Sequence, residues 1–179
     1  HDETVSEENK RNLTQVAHQK GDSIKFYVID NNEFECIKDC TYTSTKRTMF
    51  RCMLPDLLPD LSKIVYLDAD IFVNRDIKEL WISNYCAAGV RDYTTYHDTF
   101  TPYPVQKGMV DRQNYINAGV LVLNLDNIGS QGNMKEQTLD YLINNPNSNL
   151  LDQDALNVIY KGDLLDGEGP SYDVAICHT

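Results

Sequence analysis

The feature that most constrains this chain is a short apolar run, Lys63-Ile64-Val65-Tyr66-Leu67, closed at once by Asp68-Ala69-Asp70. The run has strand length and does not alternate, the pattern of a strand buried on both faces of an α/β sheet. Gly119-Val120-Leu121-Val122-Leu123 repeats it. Further strands are predicted at 24–30, 86–90 and 173–177, and the second apolar run extends to 118–125. Helical signals fall between them. Thr4-Val5-Ser6-Glu7 reads as a capping box that opens a surface helix, stopped at Gly21. Met49, Phe50, Met53 and Leu54 recur at helical spacing until Pro55 and Pro59 break the pattern. Short helices are predicted at 76–81, capped by Asp76, and at 134–144 and 152–160. Residues 31–45 and 92–114 read as loop, the second long and tyrosine-rich. Strands alternating with helices predict an α/β fold with a mostly parallel sheet, and 179 residues suit one domain.

The net charge of −11 argues against nucleic acid and anionic lipid as partners, because such a field repels phosphate. An anionic ligand would need local compensation, and a bound cation supplies it most economically. The five cysteines (Cys36, Cys40, Cys52, Cys86, Cys177) contain no C-x-x-C pair. Neither a structural zinc site nor a disulfide framework is expected, and a reducing cytoplasm is the default compartment. No apolar run is long enough to span a bilayer, so association with the inner face of the membrane would need parts outside this chain.

The chemistry centres on the end of the 63–67 run. In extended backbone, residues i and i+2 point to one side, so Asp68 and Asp70 can converge on one cation. Ligands in open α/β sheets collect at the C-terminal ends of strands. Oxygen-only donors suit Mg²⁺, Ca²⁺ or Mn²⁺. The structural alternative is an Asp that caps the next turn beside a solvated neighbour. Asp68, Asp70, Asn74 and Asp76 share the acidic spacing of a calcium loop but lack its Gly and terminal Glu. A strand ending in Asp-x-Asp also resembles the nucleophile loop of haloacid-dehalogenase-like phosphatases, where the first Asp attacks phosphorus and the second is the general acid/base.

The surrounding segments separate these readings. Phe50-Arg51-Cys52-Met53-Leu54-Pro55-Asp56-Leu57-Leu58-Pro59, then 63–70, then Asp76-Ile77-Lys78-Glu79-Leu80-Trp81 resemble the central block of glycosyltransferase family 8. Tyr115-Ile116-Asn117-Ala118-Gly119-Val120-Leu121-Val122-Leu123-Asn124 and Leu151-Asp152-Gln153-Asp154-Ala155-Leu156-Asn157 resemble its following blocks, in the family's order and approximate spacing. The resemblance extends over about residues 4–178 and is closest to bacterial galactosyl- and glucosyltransferase-like members.

That resemblance implies a GT-A fold, a UDP-sugar donor, a saccharide or other hydroxyl acceptor, retention at the anomeric carbon, and Mn²⁺ as cofactor with Mg²⁺ as a substitute. By matching position, Asp68, Asp70 and His178 would hold the metal. Arg51, Asp68, Ala69, Asp70, Asp92, Asn117, Ala118, Gly119, Asp152 and Gln153 would contact the donor, and Asn117, Asp152 and Gln153 would lie nearest the reacting carbon. Each position has a plain structural alternative: a solvated charge for Arg51, a strand-end Asp for Asp92, an ordinary turn for Asn117 to Gly119, a helix cap for Asp152, an incidental side chain for His178. The family's first nucleotide-binding strand would precede His1, and its segment after the metal His would follow Thr179. The chain is therefore expected to be a single catalytic domain without those two parts. A catalytically inactive glycan- or nucleotide-binding module is the non-enzyme alternative.

Overall fold

The computed structural model describes residues 1–37, 46–73, 76–92, 100–167 and 175–176. His178, Asn74, Tyr93, Tyr96, His97, Cys40 and Cys177 lie outside the described residues.

Helix α1 spans Glu7–Gln19 and buries none of its residues, as a surface helix should. Its cap is Ser6, whose Oγ accepts the Asn9 amide at 3.2 Å, and not Thr4. The Thr4 hydroxyl donates instead to Asp2 at 2.6 Å and is unavailable to the helix. Glu7 and Glu8 sit at the positive end of the helix dipole. Past the C-cap, Gly21 takes φ +77, a conformation that favours glycine. The strand predicted at 24–30 does not form among the described residues. A strand needs a neighbour, and here the backbone bonds run to the first residue: the Ile29 amide donates to the His1 carbonyl, and the His1 amino group to Tyr27.

A 3₁₀ helix at Lys46–Met53 runs directly into α2, Leu54–Leu57. Pro55 starts this helix instead of breaking one, because its missing N–H falls among the donors a first turn leaves unpaired. Strand β1 is Lys63–Leu67, with the predicted bounds. A two-residue strand β2, Ile71–Phe72, follows, then α3 at Lys78–Trp81, where Asp76 accepts the Lys78 amide at 2.9 Å. Strand β3 is Ala87–Arg91, α4 is Tyr103–Gln106 and β4 is Ile116–Asn124. Helices α5 (Leu125–Gln131), α6 (Met134–Asn144) and α7 (Leu151–Ile159) precede β5 (Leu164–Gly167) and β6 (Ala175–Ile176).

The main sheet has the order β1-β4-β3-β5 and is mixed. The prediction of mostly parallel pairing is corrected. Strand β4 runs antiparallel to both β1 and β3, and among the described pairings only β3 and β5 are parallel. The reason is the closure of the loop after β3: Arg91 pairs with Ile116, and the Asp92 amide donates to the Tyr115 carbonyl at 3.0 Å. The chain enters β4 at the end where it left β3, which makes the pair a long-looped hairpin.

Burial on both faces, predicted for β1, belongs to β4. Leu121 and Leu123 pack into the main core with Met49, Ile128, Met134 and Leu156, while Val122 faces Leu80 and Ala88 on the other side. Among the described residues strand β1 pairs only with β4, and Val65 and Leu67 are exposed. A separate antiparallel ladder joins β2 to β6, with Ile71 opposite Ile176. Among the described residues, no helix is long and apolar enough to cross a membrane.

Candidate active site

At the end of β1 the chain turns. The Ile71 amide donates to the Asp68 carbonyl at 3.2 Å, so Asp68, Ala69, Asp70 and Ile71 form a β-turn. The two carboxylates are therefore presented by a turn, and the extended geometry expected for them is corrected. The Asp68 amide bonds the Gly119 carbonyl at 2.8 Å, continuing the β1–β4 ladder one step and seating the turn against Gly119. A Cβ on Gly119 would stand 2.9 Å from both Asp68 Oδ2 and Asn117 Oδ1. Glycine at this position leaves room for the site's own oxygens.

Behind the turn lies Arg51, only 5 % exposed. The guanidinium donates through Nε to the Thr48 carbonyl at 3.0 Å and through one terminal nitrogen to the Ala118 carbonyl. The other terminal nitrogen lies 3.2 Å from Asp68 Oδ1, and the guanidinium carbon sits 4.6 Å above the centre of the Tyr66 ring. Arg51 Nε is also 2.8 Å from Asp152 Oδ2. Because that N–H is directed at Thr48, the approach to Asp152 is a charge contact and Oδ2 accepts no directed hydrogen bond. Burial pulls the Arg51 pKa down, but the charges led by Asp152 more than reverse this and hold it above its ordinary value. The solvated-charge alternative for Arg51 is thereby excluded. Tyr66 completes this half by donating its hydroxyl to Asp68 Oδ1 at 2.5 Å; burial, partly opposed by Arg51, raises the phenol pKa.

The second half of the site joins β3, β4 and α7. Asp92, 4 % exposed, accepts on Oδ2 from Asn117 Nδ2 at 3.0 Å and from Gln153 Nε2 at 2.9 Å. Asn117 Oδ1 accepts the Gly119 amide at 2.7 Å, and Gln153 Oε1 accepts the Ala118 amide at 2.9 Å. Asn157 clamps the start of β4, accepting the Ile116 amide at 2.8 Å and donating to its carbonyl at 2.9 Å. Asp152 does not cap α7, as the structural alternative had it: the cap position is Leu150, and Asp152 turns inward to Arg51. The carboxylate that bonds the helix entry is Asp154, which accepts the Leu150 amide at 3.2 Å and the Ser148 hydroxyl at 2.6 Å. Between them Leu151 is held at φ +35, a strained conformation for a side-chain-bearing residue and one that tends to persist at functional sites.

Arg51, Asp68, Asp92, Asn117, Ala118, Gly119, Asp152 and Gln153 are thus brought together around the first half of β4. Ala69 and Asp70 lie at the exposed rim of the turn. Among the described residues no group of three or more His, Cys, Asp or Glu side chains is placed to hold a metal ion. Sequence reasoning assigned no role to Tyr66, Tyr115, Asp154 or Asn157. All four stand inside the quoted family blocks, which was the available signal.

The protein-family model for Glycosyl transferase family 8 matches residues 1–172. General stress protein A of Bacillus subtilis is 28% identical over 163 residues, 87% of this chain and 54% of the relative. The lipopolysaccharide 1,2-glucosyltransferase of Escherichia coli is 28% identical over 162 residues, 84% of this chain and 45% of the relative. The chain therefore spans about half the length of the curated relatives it matches. Among solved structures, the galactosyltransferase LgtC, in complex with donor and acceptor sugar analogs, superposes with a TM-score of 0.77 at 23% identity, over 90% of this chain and 59% of that one. The bifunctional glycosyltransferase WbbM superposes at 0.67 and 21% identity, over 90% and 31%. These likenesses establish the GT-A fold. The matched residues contain the sheet, the Asp68–Ile71 turn and the whole Arg51–Gln153 cluster, and the chain belongs to glycosyl transferase family 8.

Proposed function

We propose that this protein moves a hexose from a UDP-sugar to a hydroxyl of a glycan or other acceptor, with retention at the anomeric carbon and with the help of a divalent cation. The observation that carries the reading is the convergence of Arg51, Asp68, Asp92, Asn117, Asp152 and Gln153 on one stretch of buried strand, an expensive arrangement for side chains that only needed solvent. Membership in a glycosyl transferase family leaves no support for the phosphatase alternative.

The residues fit a hard divalent cation. Asp68 and Asp70 offer carboxylate oxygens on one turn, and the absent Cβ of Gly119 keeps room beside Asp68 Oδ2. His178 would join them in this reading; strand β6, which ends two positions earlier, pairs with β2 immediately after the turn. When bound, the cation supplies Lewis-acid neutralisation of the donor's diphosphate. A nitrogen ligand beside two carboxylates favours Mn²⁺ over Mg²⁺.

The chain's own groups orient the sugar. Asn117 and Gln153 lie at the half-buried face of the cluster, with Asp92 beneath them. Arg51 holds Asp68 and Asp152 from below and so sets the turn against the strand. Asp152 is ion-paired and 3 % exposed, which makes it a poor nucleophile. This favours attack from the leaving-group face over a covalent intermediate on Asp152. The bond from anomeric carbon to diphosphate oxygen breaks, the acceptor oxygen bonds to that carbon, and the acceptor's proton passes to the departing diphosphate.

Calorimetry of UDP binding by the whole protein tests the reading, with Mn²⁺ and then with EDTA, in wild type and Asp70→Ala. Binding that requires both the metal and Asp70 is expected. A folded protein that binds no UDP overturns it, and tight binding without turnover of any UDP-hexose would identify an inactive module.

A further inference from the structure

The orientation of the Gln153 amide is decided by two neighbours of single polarity. The Ala118 amide can only donate, so the group facing it at 2.9 Å is the Gln153 oxygen. Nε2 then points to Asp92 at 2.9 Å and to the Tyr115 hydroxyl oxygen at 3.3 Å. A tyrosine hydroxyl can donate or accept, and its one proton here is committed: it lies on the bond to Asp154 Oδ1, 2.5 Å away. Asp154 also accepts from Ser148 Oγ at 2.6 Å and from the Leu150 amide at 3.2 Å. Tyr115 and Asp154 are both wholly buried, and no solvent competes for these bonds.

We propose that Tyr115 is a positioning residue: with its proton held by Asp154, its oxygen fixes the Gln153 amide so that Gln153 offers a bound sugar a carbonyl acceptor and never an N–H. The valences lead there directly. Both Nε2 hydrogens are used within the protein, by Asp92 and Tyr115, and one of the two Oε1 lone pairs is used by Ala118. What remains on this half-buried side chain is one lone pair. The group it can meet on a sugar is a hydroxyl that donates, or the electron-poor anomeric carbon as the leaving group departs. The same chain of bonds reaches back through Asp154 to the Leu150 amide, next to the strained Leu151, so the turn that enters α7 and the amide orientation are coupled. This role rests on the transferase reading above for its consequence, but not for its geometry.

The variant that isolates it is Tyr115→Phe, which keeps the buried ring and removes only the oxygen. Two measurements on the whole protein apply. The first is exchange of the Gln153 side-chain amide protons by NMR, with the resonance assigned by its loss in Gln153→Glu. Slow exchange in wild type and roughly tenfold faster exchange in Tyr115→Phe are expected. The second is steady-state transfer with UDP-hexose. Tyr115→Phe should lower kcat about tenfold, on the scale of an outer-shell partner. The donor KM should stay within about twofold, and UDP-binding stoichiometry should be unchanged. A purely structural role would lower that stoichiometry along with kcat. Exchange that is equally slow in both proteins overturns the proposal, whatever kcat does. If wild type turns over no UDP-hexose, the transferase reading fails while amide exchange still decides the positioning role.

Discussion

The two halves of the site are built on opposite principles. The half made of Asp92, Tyr115, Asn117, Gln153, Asp154 and Asn157 is largely buried and cross-linked by bonds between residues far apart in sequence. The half made of Asp68, Ala69 and Asp70 is a local turn at the rim, held by one internal backbone bond, one to Gly119, and the contacts of Asp68 with Tyr66 and Arg51. The first is organised by the fold whether or not ligand is present. The second leaves Ala69 and Asp70 exposed, with Asp68 half-buried against Arg51 and Tyr66. Arg51 joins them, touching Asp68 on one side and Asp152 on the other. The contrast is one of burial: the first half is cross-linked inside the fold, and the second stands at its surface.

The largest effect should come from breaking the joint. Arg51→Ala leaves the Asp152 carboxylate buried without its cation, and about 3–5 kcal/mol of stability should be lost. Urea denaturation measures it, and a loss below about 1 kcal/mol would show that the two halves are not coupled through Arg51. Asp70→Ala should behave oppositely, changing stability by under about 0.5 kcal/mol while weakening Mn²⁺-dependent UDP binding by about 100-fold.

Two glycines sharpen the same contrast. A Cβ on Gly89 would lie 3.0 Å from the Val120 carbonyl and 3.1 Å from Ile116 Cδ1, in strand backbone and core. Gly89→Ala should lower the unfolding free energy by about 1–3 kcal/mol, with UDP affinity unchanged. At Gly119 the crowding atoms are the ends of two side chains, Asp68 Oδ2 and Asn117 Oδ1, which can give way only by loosening their bonds within the site. Gly119→Ala should keep most of its stability and lose about tenfold in UDP affinity, roughly 1.4 kcal/mol. If the two variants exchanged phenotypes, the division of labour would be wrong.

The smallest effect concerns pH. Burial raises the Asp154 pKa, and its bond from Ser148, with others, only partly opposes the rise. A carboxyl whose folded pKa exceeds its unfolded one binds its proton more tightly in the folded state. The stability it lends is therefore present below about pH 4 and is lost as pH rises through the folded pKa. As pH falls from 7 toward 4, wild type should gain stability relative to Asp154→Asn, read from urea midpoints across that range. Identical pH responses in the two proteins would contradict the raised pKa.

Local signals carried well from sequence to structure. Strand β1 and helix α6 have the predicted bounds because an apolar run and an amphipathic repeat declare themselves over a few residues. Asp76 does bond the Lys78 amide, although the helix starts later than predicted, at Lys78, with Ile77 in the cap position. The failures share a cause as well. The strand predicted at 24–30 had β-branched residues but found no strand neighbour among the described residues, and Thr4 was claimed by Asp2 before it could cap α1. Strand β2 was missed because two residues carry no period, and only its ladder with Ala175–Ile176 makes it a strand.

Taken by itself, the sequence determined the α/β class, the segments that build the site and the family to which they belong, since each depends on residue types in order along the chain. The tertiary structure alone decided that β4 runs antiparallel between β1 and β3, that Arg51 is buried between Asp68 and Asp152, and that Tyr115 and Asp154 orient Gln153. These are pairings across long sequence separations, and neither propensity nor periodicity records which distant partner a strand edge or a buried polar group will find.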